Sequence, residues 1–550
     1  MNRLYYGDCL TIMRDHMGAE SVDLIYLDPP FNSNREYNAI YKDETGRPLP
    51  DQIEAFCDLW ELDEERERAI RALPVLMQDQ GIDDAVTQFW KVWVNALRNT
   101  QPRLLAYLSY MVERLLWMKV VLKPTGSVYL HCDPTASHYI KVMMDGVFDY
   151  NFRNEIIWKR TTSHNSGSQF GRIHDTILFY SHSRRRWTWN RTYASKYSDE
   201  QLSRFKRDDS GRLYKGDDLT AARPNSNSGK FEWRGTMPGK GRGWAYTREK
   251  LEEFWEAGRI LTKADGTPRL DGLKSYLDEL PGPRTQSIWD DIPRIPNTSK
   301  ERLGYATQKP VALLERIIKA SSNPGDVVFD PFCGCATTLE AAHKLGRQWI
   351  GVDIAIHAVK RVAAIRLRDR LGLEEGRDFT IEGVPHSLEG AQHLWERDKY
   401  HFQKWAVEQV DGFVTSKRTA DGGIDGRLYF APPDEHGPIS LGGRGELQSM
   451  AIEVKGGKNV SINDLRALRG VLDSDVAVMA GLIIMESLGP TKERHFRTFM
   501  ADAGDLDVLG MKYARMQMLT VEEILEGKRF ETPGAVAGKG LAQQKILSPH

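Results

Sequence analysis

The chain has 550 residues, with 75 Lys and Arg against 76 Asp and Glu, and a formal net charge of −1. At roughly 100–200 residues per domain the length suggests about three units, and the 41% hydrophobic fraction suits a globular enzyme. No apolar run nears the ~18–20 residues of a membrane span, the opening Met1–Tyr6 lacks a signal-peptide core, and five cysteines make neither a disulfide framework nor a usual zinc spacing, which predicts a reducing, cytoplasmic setting.

In chain order, Met1–Tyr6 reads as a strand. Val22–Phe31 is an apolar run ending in a carboxylate and two prolines, the pattern of a buried parallel strand with a rigid loop at its carboxyl end. Leu104–Leu122 has helical spacing, Pro124-Thr125-Gly126 reads as a turn, and Ser127–His131 as a strand. After Asn323-Pro324-Gly325-Asp326, which follows a helix over Val311–Ala320, come the strand Val327–Phe329, a tight loop, a helix near Leu339–Ala342, and the strand Gln348–Val352. Such alternation predicts a doubly wound α/β sheet, whose ligands sit beyond the carboxyl ends of the strands. Asp28, Asp330 and Asp353 are all expected there. The acidic run Glu61–Glu67 reads as a solvated helix face, Phe89–Trp93 as core, and His131-Cys132-Asp133 as packing near a strand end.

Asp28-Pro29-Pro30-Phe31 suits chemistry on an exocyclic amine. Such a nitrogen is a poor nucleophile because its lone pair is delocalised into the ring. Asp28 is placed to accept one amino hydrogen and the Pro29 carbonyl the other, while the prolines hold both acceptors still. Phe31 would stack on a base turned out of its duplex. Asp-Pro is also a common turn pair, so the tetrapeptide alone does not decide. A second element, Asp330-Pro331-Phe332-Cys333-Gly334-Cys335-Ala336-Thr337-Thr338, lies between a strand and a helix, where small residues let a ligand approach the backbone. Asp353 follows at the end of the next strand, where an acid can hold ribose hydroxyls.

With these motifs in this order, residues 1–390 resemble the beta class of DNA amino-methyltransferases, which includes the modification subunits of type III restriction systems. The resemblance implies S-adenosylmethionine as cofactor. It makes Asp8, in Tyr6-Gly7-Asp8-Cys9-Leu10, a contact of the cofactor adenine. It gives Thr307, Gln308, Lys309 and Pro310 the element closing over the methionine end, Asp330, Phe332 and Gly334 the cofactor loop, and Asp353 the ribose acid. The family usually has a glycine-like residue where Ala336 stands and often Ser where Cys335 stands. Asp at position 28 resembles the adenine-N6 members rather than the cytosine-N4 ones. The reaction implied is in-line displacement, in which positioning supplies much of the rate. A homodimer is expected from the beta class, as is a bacterial or phage-infected cell.

Between the two halves, periodicity weakens and cations gather. From Arg184 to Lys250, Lys and Arg outnumber Asp and Glu about two to one and are interleaved with Trp187, Trp189, Tyr193, Phe205, Tyr214, Trp233, Trp244 and Tyr246. Cations contact phosphates and aromatics stack or wedge at opened base pairs, so 185–300 is expected to read double-stranded DNA, with Arg184, Arg185 and Arg186 among its contacts. The catalytic half is then 1–184 and the cofactor half 301–390.

Residues 395–530 carry a different constellation. Phe402–Glu408 reads as a helix, Asp425 precedes a strand, and Glu453 and Lys455 alternate on another strand, so they share a face. Asp425 and Glu453 are candidate ligands of Mg²⁺, with Lys455 beside a scissile phosphate and Glu408 a further acid. These residues resemble the Mrr-type restriction endonucleases of the PD-(D/E)XK group, with Lys417 and Arg418 as phosphate contacts. Residues 531–550 read as a loose tail. The sequence thus predicts a DNA adenine methyltransferase with a nuclease-like domain. A silent base sensor, a cytosine-N4 enzyme and an RNA methyltransferase stand as rivals.

Overall fold

The structure is a computed structural model. It describes residues 2–29, 36–39, 53–57, 60–132, 136–162, 170–194, 197–222, 229–296, 298–303, 307–415, 424–431, 448–457, 459–474, 477–533 and 535–536. Pro30, Phe31, Asp133, Lys417 and Arg418 lie outside them. Two compact units are present, one of residues 1–190 with 292–550 and one of 191–291.

The first unit is organised by a mixed sheet. Its strands are β1 (Asn2–Tyr6), β2 (Val22–Leu27), β3 (Leu122–Cys132), β4 (Phe152–Lys159), β5 (His174–Ser181), β6 (Val327–Asp330), β7 (Gln348–Asp353) and β8 (Phe379–Glu382). They run in the order β4-β5-β3-β2-β6-β7-β1-β8. Pairings from β3 through β8 are parallel, and β5 and β4 are antiparallel. All six residues of β2 are buried, as a parallel strand covered on both faces requires. The one carboxylate among them, Asp23, is held by the Lys123 ammonium at 2.7 Å and the Val327 amide at 2.9 Å. β3 continues through Pro124-Thr125-Gly126, where the sequence suggested a turn, because this strand's outer end pairs back to Val22.

Helices Cys9–His16, Glu64–Asp79, Asp84–Thr100 and Pro102–Val121 build one large core with the sheet. The Pro102–Val121 helix is buried nearly all round, so its apolar face is wider than an ordinary surface stripe. Of the Phe89–Trp93 segment, Trp90 is in the core while Phe89 and Val92 face solvent. Helices Val311–Ser321 and Thr337–Lys344 pack on each other and against β2, β3, β6 and β7.

The same unit contains a second mixed sheet, β9 (Phe413–Val414), β10 (Gly426–Ala431), β11 (Gln448–Lys455), β12 (Met479–Ile484) and β13 (Met516–Thr520), in that spatial order. β9-β10-β11 are antiparallel and β11-β12-β13 parallel. Ala535–Val536, assigned to the tail by composition, pairs with β10. No helix among the described residues is long and apolar enough to cross a membrane.

The 191–291 unit lies inside the expected 185–300 insertion. A small antiparallel sheet and the helix Arg248–Glu256 enclose Leu219, Trp233, Trp244, Leu251, Ile260 and Leu273. Trp233 and Trp244 are therefore core residues, correcting their expected place on a base-stacking surface. Several cations are also engaged internally, Arg212 with Asp278 and Glu279, Arg234 with Glu252, and Arg242 with Asp218.

Candidate functional site

Parallel register brings the acids together. Tyr6 lies opposite Asp353 and Asp330 opposite Gly351, so the loops leaving β1, β2, β6 and β7 share one edge. Asp28 follows β2 directly. Its Oδ2 is ion-paired to the Lys309 ammonium, which also donates to the Thr307 carbonyl at 3.2 Å. Its Oδ1 is buried and accepts no hydrogen bond from any described residue. One oxygen is thus fixed by a cation and the other left as an acceptor, the arrangement expected where a ligand's donor belongs. Lys309, assigned to the cofactor's methionine end by resemblance, is thus also the ion-pair partner of Asp28. The Gln308 amide is likewise engaged by protein, with the Glu301 carbonyl at 2.7 Å and the Leu303 amide at 2.8 Å. Pro310 caps the Val311–Ser321 helix.

The loop after β6, expected to hold the cofactor, has its own bracing. Asp330 Oδ1 accepts from the Phe332 amide at 3.0 Å, and burial pushes this carboxyl up to about 7. Asp353 accepts from the Gly334 amide on Oδ2 at 2.9 Å and the Ala355 amide on Oδ1 at 2.8 Å. Burial raises it to about 6 despite those donors. Desolvation disfavours the charged form of both acids. Arg366, wholly buried, ion-pairs with Glu340 and donates to the Cys335 carbonyl at 3.0 Å and the Thr337 hydroxyl at 2.8 Å. The loop is pinned from behind by a guanidinium.

Asp8 caps the Cys9–His16 helix, accepting from Leu10 at 2.7 Å. Burial pushes its carboxyl up, but the Arg114 guanidinium and the Leu10 amide outweigh that and hold it below the usual range. Arg114 lies 3.3 Å over the Tyr110 ring, whose centroid is 6.4 Å from that of Phe332. Arg114 and Arg366 escaped the sequence reading, although Arg114 stands at core spacing among Met111, Leu115 and Met118, an anomaly that a period count exposes. Asp175 was missed too. It accepts from His131 Nε2 at 3.2 Å and pairs with Arg160 at 3.4 Å, while His131 Nδ1 meets the Tyr26 hydroxyl at 2.9 Å. This chain of hydrogen bonds ties β2, β3 and β5 together through His131.

Arg184, Arg185 and Arg186 are exposed on a turn whose amides at 185 and 186 donate to Ser183 Oγ. In the second sheet, Asp425 Oδ2 accepts from the Val454 amide at 2.7 Å. Lys455 reaches Glu453 Oε1 at 2.7 Å and Asp464 at 3.3 Å. Burial raises Asp425 to about 6 and Glu453 to about 7. Glu453 Oε2 is buried without a hydrogen-bond partner among the described residues. The charge of Glu408, expected as a further acid of this cluster, also bears on Tyr6 and Asp353 of the first sheet.

A family model described as DNA methylase matches residues 22–364, more than half the chain. The type II methyltransferase M.EcaI of Enterobacter cloacae is 33% identical over 259 residues, 47% of this chain and 56% of its own length. The StyLTI Mod subunit, a type III restriction-modification enzyme of Salmonella typhimurium, is 26% identical over 366 residues, 63% of this chain and 50% of its own. The DNA adenine methyltransferase YhdJ of Escherichia coli is 49% identical over 74 residues, 14% of this chain and 25% of its own. The chain thus spans at most about half the length of these relatives.

Ala336 adopts φ 59°, ψ 33°, the left-handed region, where the resembling family places a glycine-like residue. A side chain there costs roughly 1–2 kcal/mol, partly offset by the greater unfolded-state freedom of glycine. Ala336→Gly is expected to stabilise the chain by ~0.5–1 kcal/mol in denaturant unfolding; a destabilisation would contradict this backbone assignment.

Proposed function

The chain belongs to the DNA methylase family, and we propose that it transfers a methyl group from S-adenosylmethionine to adenine N6 in duplex DNA. The observation that carries this reading is the Asp28 carboxylate, clamped by Lys309 on Oδ2 and open at Oδ1. Asp28 Oδ1 accepts one amino hydrogen and the Pro29 carbonyl the other, which turns the nitrogen lone pair out of conjugation. Methylation requires the amine to shed a proton, and Asp28 Oδ1 would be the acceptor within reach. Lys309 keeps Oδ2 from competing for the amine. The residues present fit the cofactor: Asp353 would hold the ribose, with Asp8, Phe332 and Gly334 around the adenosine, and burial pushes the Asp353 carboxyl up to about 6 despite its two amide donors. Bound there, S-adenosylmethionine supplies a sulfonium-activated methyl group. Adenine is favoured over cytosine by Asp at position 28 and by the match to a DNA adenine methyltransferase.

Asp28→Ala removes the acceptor and is expected to lower methyl transfer by at least ~100–1000-fold, the cost of losing one preorganised polar partner, while cofactor binding by calorimetry stays within about twofold, since Asp28 is not a cofactor ligand in this scheme. Labelled methyl should appear in wild-type DNA as N6-methyladenine. Label in RNA alone, in cytosine, or nowhere rejects the reading.

The exposed Arg184–Arg186 turn and the 191–291 unit are the proposed DNA contacts. Reversing all three arginines to Glu should weaken duplex binding and reduce the salt slope by about 3, at ~0.9 per phosphate contact. An unchanged slope removes these residues from the interface.

For the second sheet we propose a nuclease. Asp425 and Glu453 would hold a divalent cation: two buried carboxylates with raised pKa, one oxygen without a partner, are donors suited to Mg²⁺. Bound there, the metal would polarise the phosphate and stabilise the leaving oxygen. Lys455 sits beside Glu453 to orient the water. Asp425→Ala and Lys455→Ala should each abolish Mg²⁺-dependent cutting of plasmid DNA. Wild-type chain that cuts neither methylated nor unmethylated plasmid would leave this sheet a DNA-binding module.

A further inference from the structure

The family match ends at residue 364, yet a helix beyond it lies against the proposed cofactor edge. We propose that the Lys399–Gln409 helix forms part of the cofactor site, with Glu408 a second carboxylate, beside Asp353, for the ribose hydroxyls. The inference rests on the S-adenosylmethionine reading above.

The placement follows from three contacts. His401 is buried, its ring centroid 4.5 Å from that of Tyr6 at 66°. Its Nε2 donates to the carbonyl of Ile354, the residue after Asp353, at 3.2 Å. Tyr6 and Asp353 are register partners on adjacent strands. The helix therefore covers the carboxyl ends of β1 and β7. Glu408 lies seven residues after His401, two turns along, on the same helical face. Its charge bears on both Tyr6 and Asp353, after burial the first-ranking charge on Tyr6.

A second observation points to a missing ligand. The Tyr6 hydroxyl is 99% buried with its residue and has no hydrogen-bond partner among the described residues. Buried hydroxyls are seldom left so in a complete site. Each oxygen of Asp353 already accepts a backbone amide. A diol brought against it gains from a further acceptor, which Glu408 supplies, and the Tyr6 hydroxyl can donate to the same sugar. The adenosyl diol, offering two donors, matches an edge rich in acceptors.

The test uses the full chain and S-adenosylhomocysteine, followed by calorimetry. Glu408→Gln should weaken binding about tenfold or more, the loss of a charged acceptor, with Asp353→Asn as the reference variant. Hydrogen exchange on the unaltered chain should slow across 399–409 when the ligand is added, a readout that needs neither a variant nor turnover. If wild type fails to bind S-adenosylhomocysteine, the cofactor reading falls and the inference with it. If wild type binds and Asp353→Asn weakens it, but Glu408→Gln binds as wild type and exchange at 399–409 is unchanged, the inference alone is overturned.

Discussion

Like charges converging on one edge are the constraint around which the first sheet is arranged. Parallel strands deliver Asp28, Asp330 and Asp353 to the same side of the molecule, with Asp8 from the neighbouring strand end. In a buried setting desolvation raises a carboxylate's proton affinity unless enough positive charge or donors offset it. Both outcomes are present. Asp28 is matched by Lys309 and Asp8 by Arg114, whereas Asp330 and Asp353 have only amide and hydroxyl donors and rise to about 7 and about 6. The division is chemical. Asp28 is kept with a cation, and Asp330 and Asp353 are left short of donors.

The supporting cations come from outside the loops they support. Arg114 reaches Asp8 from the middle of an apolar helix, and Arg366 holds the Cys335–Thr337 backbone through a pair with Glu340 in which neither partner is exposed. Breaking a buried pair by removing one partner typically costs ~3–5 kcal/mol, so these contacts are structural as well as local. They fix the loop before any ligand arrives, which is what preorganisation means.

Much of this edge was legible in the sequence. Asp28, Asp330 and Asp353 end apolar runs of strand length, and the doubly wound order follows from the alternation of strand and helix. What stayed hidden depends on distance along the chain. Arg114 and Asp8 are 106 residues apart and His131 and Asp175 are 44 apart, and no periodicity links such pairs. Lys309 was found but given a different neighbour, because a motif names residues and not their partners. In the insertion, Trp233 and Trp244 looked like surface aromatics amid cations, yet a unit this small needs its largest side chains inside. Glu408 was expected beside Asp425, but nothing in the sequence showed that the helix carrying it also meets the first sheet, where its charge bears on Tyr6 and Asp353.

The two faces of that helix bear on how the chain is assembled. While His401 meets Tyr6 on one side, Phe402 and Val407 press so closely on Gly456 and on Gly412 and Gly426 that a methyl group at any of the three glycines would collide. Gly426 follows Asp425, and Gly456 follows Lys455. Here the junction is interior, so a gene truncated before this helix would lose the cover of Tyr6 along with its second sheet.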